Sequence, residues 1–236
     1  MLAVLKRAFR LAEQGGRLLH RPYIPLLRED NVRQGFFERA EFEDVRKHLP
    51  TALRGVATFA YLTGWRIGEI LPLRWAQVDR KAHTVRLEPG TTKNKTGRTF
   101  PYDVLPELAE VIEEQWREHE RLASRAVLCP YVFNRNGKPI KSLRHVWRTA
   151  CDAAGVPGML MHDFRRTAVR NLVRAGVPGT VAMRLTGHKT RSVFDRYDVT
   201  SEADLRDAVG RLAAAAGTEK GQSSQNGRVA RFPENS

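Results

Sequence analysis

Three short runs of the sequence gather polar residues that helix packing alone does not ask for. In the first, Thr63-Gly64-Trp65-Arg66-Ile67-Gly68-Glu69-Ile70, a helix is expected to stop at Gly64 and a fresh one to start after Arg66. Arg66 and Glu69 lie three apart. A helix puts them on one face, where the carboxylate either orients the guanidinium or forms an ordinary surface ion pair with it. The second run, His162-Asp163-Phe164-Arg165-Arg166-Thr167, presents His162 and Arg165 together at a helix start and turns Phe164, Ala168 and Leu172 to the core. An arginine fork beside unpaired backbone N–H groups suits a phosphate, and the same pattern taken singly suits a plain capped helix. The third, Leu185-Thr186-Gly187-His188-Lys189-Thr190, sets His188 at a glycine turn, and Tyr197 follows nine residues after it. A tyrosine there serves either as a boundary aromatic or as a nucleophile. His162 and His188 have no third ligand at a recognisable spacing, so no metal site is expected.

These residues need elements to hold them. Apolar positions Leu2, Leu5, Phe9 and Ala12 predict a helix over residues 2–14, and Gly15-Gly16, Pro22 and Pro25 predict an extended connector over 15–37. Phe42, Val45 and Leu49 share one helical face, and Leu53, Val56, Ala57, Ala60 and Tyr61 another, ended by Gly64. A short helix is expected at Ile67–Leu73, then β-rich pieces at His83–Leu87 and Arg98–Tyr102 around the Lys-containing run 89–97, as a hairpin or three-stranded sheet. A long helix is read at Leu105–Ala123, an apolar piece at Ala126–Phe133 and a turn at Asn134–Gly137. Further helices are expected at Ser142–Ala154, Asp163–Ala175, Gly179–Leu185, Arg191–Arg196 and Glu202–Ala215, with a disordered polar tail over 216–236. The class is therefore α+β, mainly α: a helical bundle with a small antiparallel sheet.

A chain of 236 residues that is 42% hydrophobic is long enough to bury a sizeable core, which excludes a disordered polymer. No run approaches a membrane span and the N-terminus is amphipathic rather than an apolar signal core, so a soluble, cytoplasmic protein without a membrane partner is expected. Cys129 and Cys151 have no CxxC spacing and read as buried free thiols. The formal charge of +14 is uneven: residues 129–236 carry 18 basic against 9 acidic side chains. Twelve Lys/Arg fall within 135–191 against only Asp152 and Asp163. Such an excess points to a polyanion, of which nucleic acid is the usual one.

TGWRIGEIL, a hairpin lysine, HDFRRT, LTGHK and a tyrosine nine residues on, in that order, resemble the tyrosine recombinases of the phage-integrase family over about residues 33–215. The resemblance implies the catalytic-domain fold of that family over 38–215. It implies Arg66 and Arg165 as the two catalytic arginines, Glu69 as a supporting carboxylate, His162 and His188 as the two active-site imidazoles, and Tyr197 as the nucleophile. The family's hairpin lysine stands eight residues before the proline that ends the sheet, which selects Lys93, with Lys95 competing. Lys95, Arg98, Arg166, Lys189 and Arg191 are expected to touch DNA.

The implied reaction is strand cleavage and rejoining through a 3′-phosphotyrosyl link, without metal, cofactor or small-molecule substrate, on double-stranded DNA held by a homotetramer. Residues 1–14 resemble the last helix of the family's N-terminal DNA clamp and 15–37 its linker, so a fragment, a truncated gene or a short variant is expected. A binding-only relic and a DNA-relaxing enzyme resembling the type IB topoisomerases are the alternative readings.

Overall fold

The computed structural model describes residues 2–25, 35–90, 97–195, 205, 206 and 208–213. The chain divides into two compact units, residues 1–34 and 35–236. In the first, helix α1 (Leu2–Gln14) ends where Gly16 takes a left-handed φ of 67°, with the Arg17 N–H donating back to the Ala12 carbonyl at 2.9 Å.

The second unit is built around helix α3 (Thr51–Thr63), preceded by α2 (Arg39–His48). Leu53, Val56, Ala57, Phe59, Ala60 and Tyr61 of α3 are all buried, because this helix is apolar around most of its circumference and has neighbours on several sides. α4 (Ile67–Ile70) is shorter than the sequence reading of Ile67–Leu73. The difference has a physical cause: Pro72 has no N–H to give a preceding carbonyl, so the hydrogen-bonded run stops before it. A turn of 3-10 helix at Trp75–Gln77 leads into β1 (Val78–Asp79).

β1, β2 (Thr84–Leu87) and β3 (Arg98–Pro101) form a three-stranded antiparallel sheet in that order, with Val85 opposite Phe100 and Leu87 opposite Arg98. Val85, Leu87 and Phe100 face the core while Arg86 and Thr99 are exposed, the period-two alternation of a half-buried sheet. After α5 (Pro106–Ala123), the expected turn at 134–137 proves to be a hairpin of its own. β4 (Asn134–Arg135) and β5 (Lys138–Pro139) are joined by Asn136 and Gly137, both at positive φ, the conformation that a tight two-residue hairpin demands.

The remaining described helices are α6 (Arg144–Ala153), α7 (Asp163–Arg174), α8 (Gly179–Thr186) and α9 (Arg191–Phe194). Residues 205, 206 and 208–213 are helical, within the element expected at 202–215. The helical fold with a small antiparallel sheet matches the expected class. Among the described residues no helix is long and apolar enough to cross a membrane. Cys129 and Cys151 are buried free thiols, and burial pushes the Cys151 thiol up to about 12.

Phe164, the second residue of α7, is the centre of the aromatic core. Its ring lies 4.9 Å from Phe37, 5.0 Å from Trp147, 5.6 Å from Phe42 and 5.8 Å from Tyr61, three of the four edge-on. The sequence places Phe37 at the end of a connector. It instead belongs to this core: fully buried, it donates its N–H to Thr167 Oγ1 at 2.9 Å and accepts Arg170 Nη2 on its carbonyl at 3.0 Å. Phe164→Ala is expected to cost about 3–5 kcal/mol, the usual range for a buried phenylalanine. Urea unfolding followed by tryptophan fluorescence measures it, and a loss below about 1 kcal/mol would show that this cluster does not anchor α7.

Candidate active site

The site begins where α3 ends. Gly64 takes φ 64°, and a Cβ there would stand 2.7 Å from the Cβ of Ala168, so glycine lets α3 and α7 meet backbone to side chain. Trp65 follows, buried, its indole N–H donating to the Leu185 carbonyl at 3.0 Å. Arg66 is the N-cap of α4 and Glu69 its third residue. Glu69 accepts the Arg66 backbone N–H on Oε2 at 3.0 Å and Arg66 Nη1 on Oε1 at 3.2 Å. The Arg66 side chain keeps about a third of its surface exposed while the Glu69 side chain keeps 8%, so this is not a solvent ion pair but an exposed guanidinium on a buried carboxylate. Burial alone would raise the Glu69 pKa. The charge and hydrogen bond of Arg98 and the contacts of Arg66 override it and hold the carboxyl below its ordinary range.

Arg165 comes from the first turn of α7, anchored by Phe164 beside it. Its Nη1 donates to the Gly64 carbonyl at 2.9 Å and also to that of Thr186, and its Nε donates to His188 Nε2 at 3.0 Å. The His188 ring is fixed from behind by Thr186. The Thr186 hydroxyl donates to the Ala182 carbonyl at 2.7 Å and lies 2.7 Å from His188 Nδ1, so its single proton is spent and it accepts from Nδ1–H. This defines the tautomer: Nδ1 carries the proton, and Nε2 is the lone pair that receives Arg165. Burial, followed by the positive fields of Arg165, Arg66 and Arg98, lowers the His188 pKa to about 3. The neutral ring is thus an acceptor for the Arg165 guanidinium.

A stability prediction follows from that shift. The unfolded chain takes up a proton at His188 near its ordinary 6.5 and the folded chain only near 3. The stabilisation is therefore present above pH 6.5 and is lost as pH falls below it, by up to about 1.4 kcal/mol for each unit. Urea unfolding at a series of pH values, wild type against His188→Asn, measures it. Equal slopes in the two proteins would contradict the assignment.

Arg66, His162 and Arg165 line one cleft of about 1090 Å³. Other parts of its lining are basic as well: Lys141 from the segment before α6, and Arg144, His145 and Arg148 from α6. The sequence does not single these four out, although Lys141, Arg144 and Arg148 are among the twelve Lys/Arg counted over 135–191. Desolvation and then the Arg165 guanidinium, opposed by the Asp163 carboxylate, keep the His162 imidazole below its ordinary range. His162 is therefore neutral at pH 7 and able to accept a proton. Among the described residues no group of three or more His, Cys, Asp or Glu could hold a metal ion.

The profile of the phage integrase family matches residues 27–203, three quarters of the sequence. The chain belongs to the phage integrase family. The integrase of Salmonella phage P22 is 25% identical over 209 residues, 83% of this chain and 52% of its own length. A tyrosine recombinase XerC-like protein of Caldanaerobacter subterraneus subsp. tengcongensis is 26% identical over 229 residues, 80% of this chain and 58% of its own length. This chain spans about half the length of the first curated relatives it matches. Among solved structures, a lambda integrase dimer bound to a COC′ core site superposes with a TM-score of 0.66 at 18% identity, over 84% of this chain and 57% of that one. The XerA recombinase gives 0.60 at 17%, over 87% and 73%. At these identities the structures speak for the fold.

The integrase fold thus brings together Arg66, Glu69, His162, Arg165 and His188 of the residues expected from sequence, with Arg98 behind them. Lys93, Lys95 and Tyr197 lie outside the described residues. Two of the expected DNA contacts, Arg98 and Arg166, expose little side chain in the free chain. The Arg98 side chain is 6% exposed and occupied by Glu69, and Arg166, one step round α7 from Arg165, is 6% exposed within the protein. Lys189 is exposed, as is Arg191, whose guanidinium pairs with Asp195 at 2.6 Å and lies over the Phe194 ring at 5.4 Å.

Proposed function

We propose that this integrase-family chain is the catalytic part of a site-specific DNA recombinase that cleaves and rejoins strands without a metal, through a 3′-phosphotyrosyl intermediate at Tyr197. The observation that carries the reading is the convergence of two guanidiniums and a neutral imidazole, Arg66, Arg165 and His162, on one basic cleft. A phosphodiester seated there would place its non-bridging oxygens between the arginines, whose charge is fixed before the reaction and so costs no reorganisation as the pentavalent transition state forms.

In the proposed step the Tyr197 oxygen bonds to phosphorus, its proton passes to His162, and the bond to the 5′-oxygen breaks. That oxygen takes a proton from Lys93 and leaves as a free 5′-hydroxyl. A base is required because a phenol titrates only near about pH 10. The covalent link keeps the phosphodiester energy, so a 5′-hydroxyl from another strand reverses the sequence and joins it to a new partner. His188 serves through Arg165, whose orientation it fixes. Double-stranded DNA is the substrate the basic cleft suits, with Lys189 and Arg191 outside it as candidate backbone contacts. A homotetramer is the proposed working assembly; a solved lambda integrase with this fold is a tetramer bound to a Holliday junction.

The test is a nicked duplex whose cleavage releases a short 5′-hydroxyl fragment and leaves the strand on the protein, followed by addition of a second duplex. The reading expects a denaturation-resistant adduct and transfer of the held strand to the second duplex. Adducts that rejoin only within one duplex would favour DNA relaxation instead, and binding without any adduct would favour the relic reading. The low pKa of His162 adds a prediction on pH. The acid limb of the cleavage rate is expected to have its midpoint below the ordinary imidazole range, because burial and the Arg165 charge disfavour the protonated ring. An acid limb centred well above pH 7 would remove His162 as the base.

A further inference from the structure

Arg98 occupies the least expected position in the site. It is the first residue of β3, two positions beyond the run 91–96 that contains Lys93 and Lys95. Its side chain is almost fully buried, although an arginine charge is costly to bury without a partner. Two partners receive it. Glu69 Oε2 accepts Arg98 Nη2 in an ion pair, and the guanidinium carbon lies 4.5 Å from the centroid of the Trp65 ring. The same Oε2 accepts the Arg66 backbone N–H, and Oε1 accepts Arg66 Nη1, so one buried carboxylate is shared between Arg66 and Arg98.

The other end of Arg98 reaches the second half of the site. Gly187 has φ 73°, and a Cβ there would stand 2.1 Å from Arg98 Nη1 and 2.8 Å from Cζ. The glycine turn is therefore packed directly on this guanidinium. The residue before that turn, Thr186, and the one after it, His188, are those that hold Arg165.

We infer that Arg98 is a positioning residue that locks Arg66, through Glu69, and Arg165, through the Gly187 turn, into one geometry and ties both to strand β3. It does so without touching DNA. The inference deepens the recombinase reading and rests on it for the meaning of a cleavage rate, but its geometric half is independent of that reading. Lysine cannot reproduce the arrangement, since an ammonium has neither a planar fork for Glu69 nor a flat face for Trp65. Arg98→Lys keeps the buried charge and Arg98→Met removes it, so a failure of the methionine variant to fold leaves the lysine variant as the test.

Two measurements on the full chain decide it. On the nicked duplex at saturating DNA, Arg98→Lys is expected to lower the single-turnover cleavage rate about tenfold or more, while the dissociation constant for DNA changes by less than about threefold. Glu69→Gln combined with Arg98→Lys is expected to be little worse than the poorer single variant, because the two act as one unit. A loss confined to DNA affinity and its salt dependence, with the saturating rate unchanged, would overturn the proposal and return Arg98 to the role of a phosphate contact. In the free protein, the side-chain Nε–H NMR signals of Arg66 and Arg165 should be sharp in wild type and broadened or shifted in Arg98→Lys. Unchanged signals would overturn the proposal. Absence of cleavage by the wild type would strike the recombinase reading, and the NMR comparison would still decide on Arg98.

Discussion

Tyr197→Phe is expected to abolish the covalent protein–DNA adduct completely while leaving DNA affinity within about twofold of wild type. The substitution removes one oxygen and keeps the ring, so the group that would bond to phosphorus is gone while the side chain keeps its size. With the one proposed nucleophile removed, the loss should be total rather than partial. Affinity should persist because it comes from charge, above all Lys141, Arg144 and Arg148, which line the cleft with Arg66 and Arg165. A denaturing gel of end-labelled nicked duplex reads the adduct, and fluorescence anisotropy of the same duplex reads binding. An adduct of wild-type yield in the variant would remove Tyr197 as nucleophile.

Arg165→Ala should have the next largest effect, in rate and in stability together. Losing one preorganised donor to a developing oxyanion costs about 3 kcal/mol or more in barrier, a fall of a hundredfold or more in cleavage. The same change removes the donor to the Gly64 and Thr186 carbonyls and to His188 Nε2, all inside the protein, and each acceptor left without it carries a desolvation cost of about 1–3 kcal/mol. Arg165→Lys should rescue stability in part and cleavage hardly at all. A single ammonium cannot donate to Gly64, Thr186 and His188 while also facing a phosphate. Single-turnover cleavage under conditions where each variant is shown folded by equilibrium unfolding separates the two effects. Cleavage within a few-fold of wild type in Arg165→Ala would deny this guanidinium a place at the reacting phosphorus.

The elements were legible in the sequence where local chemistry decides them. Helical apolar spacing marked α3 and α7, Gly64 marked where α3 ends, and the order of the three polar runs marked Arg66, His162, Arg165 and His188 as one site. What escaped depends on residues distant in the chain. Phe37 looks like part of a polar connector until Thr167 and Arg170, some 130 residues away, take up its backbone groups. Arg98 looks like a hairpin cation offered to DNA until Glu69 and Trp65 enclose it, and nothing in the sequence around it announces a buried arginine. Arg166 differs from Arg165 by one step of helix, and only the packing around α7 tells which of them lines the cleft. The tautomer of His188 likewise required knowing that the Thr186 proton is already given to Ala182.

The most direct test of the account is to find which atom holds the DNA. Wild-type protein would be trapped on the nicked duplex, denatured and digested with trypsin and nuclease, and the nucleotide-bearing peptide sequenced by mass spectrometry. The account predicts a nucleotide joined through its 3′-phosphate to the tyrosine of the tryptic peptide Tyr197–Arg206. A link through a 5′-phosphate, attachment at another side chain, or cleaved DNA with no attached peptide would contradict it.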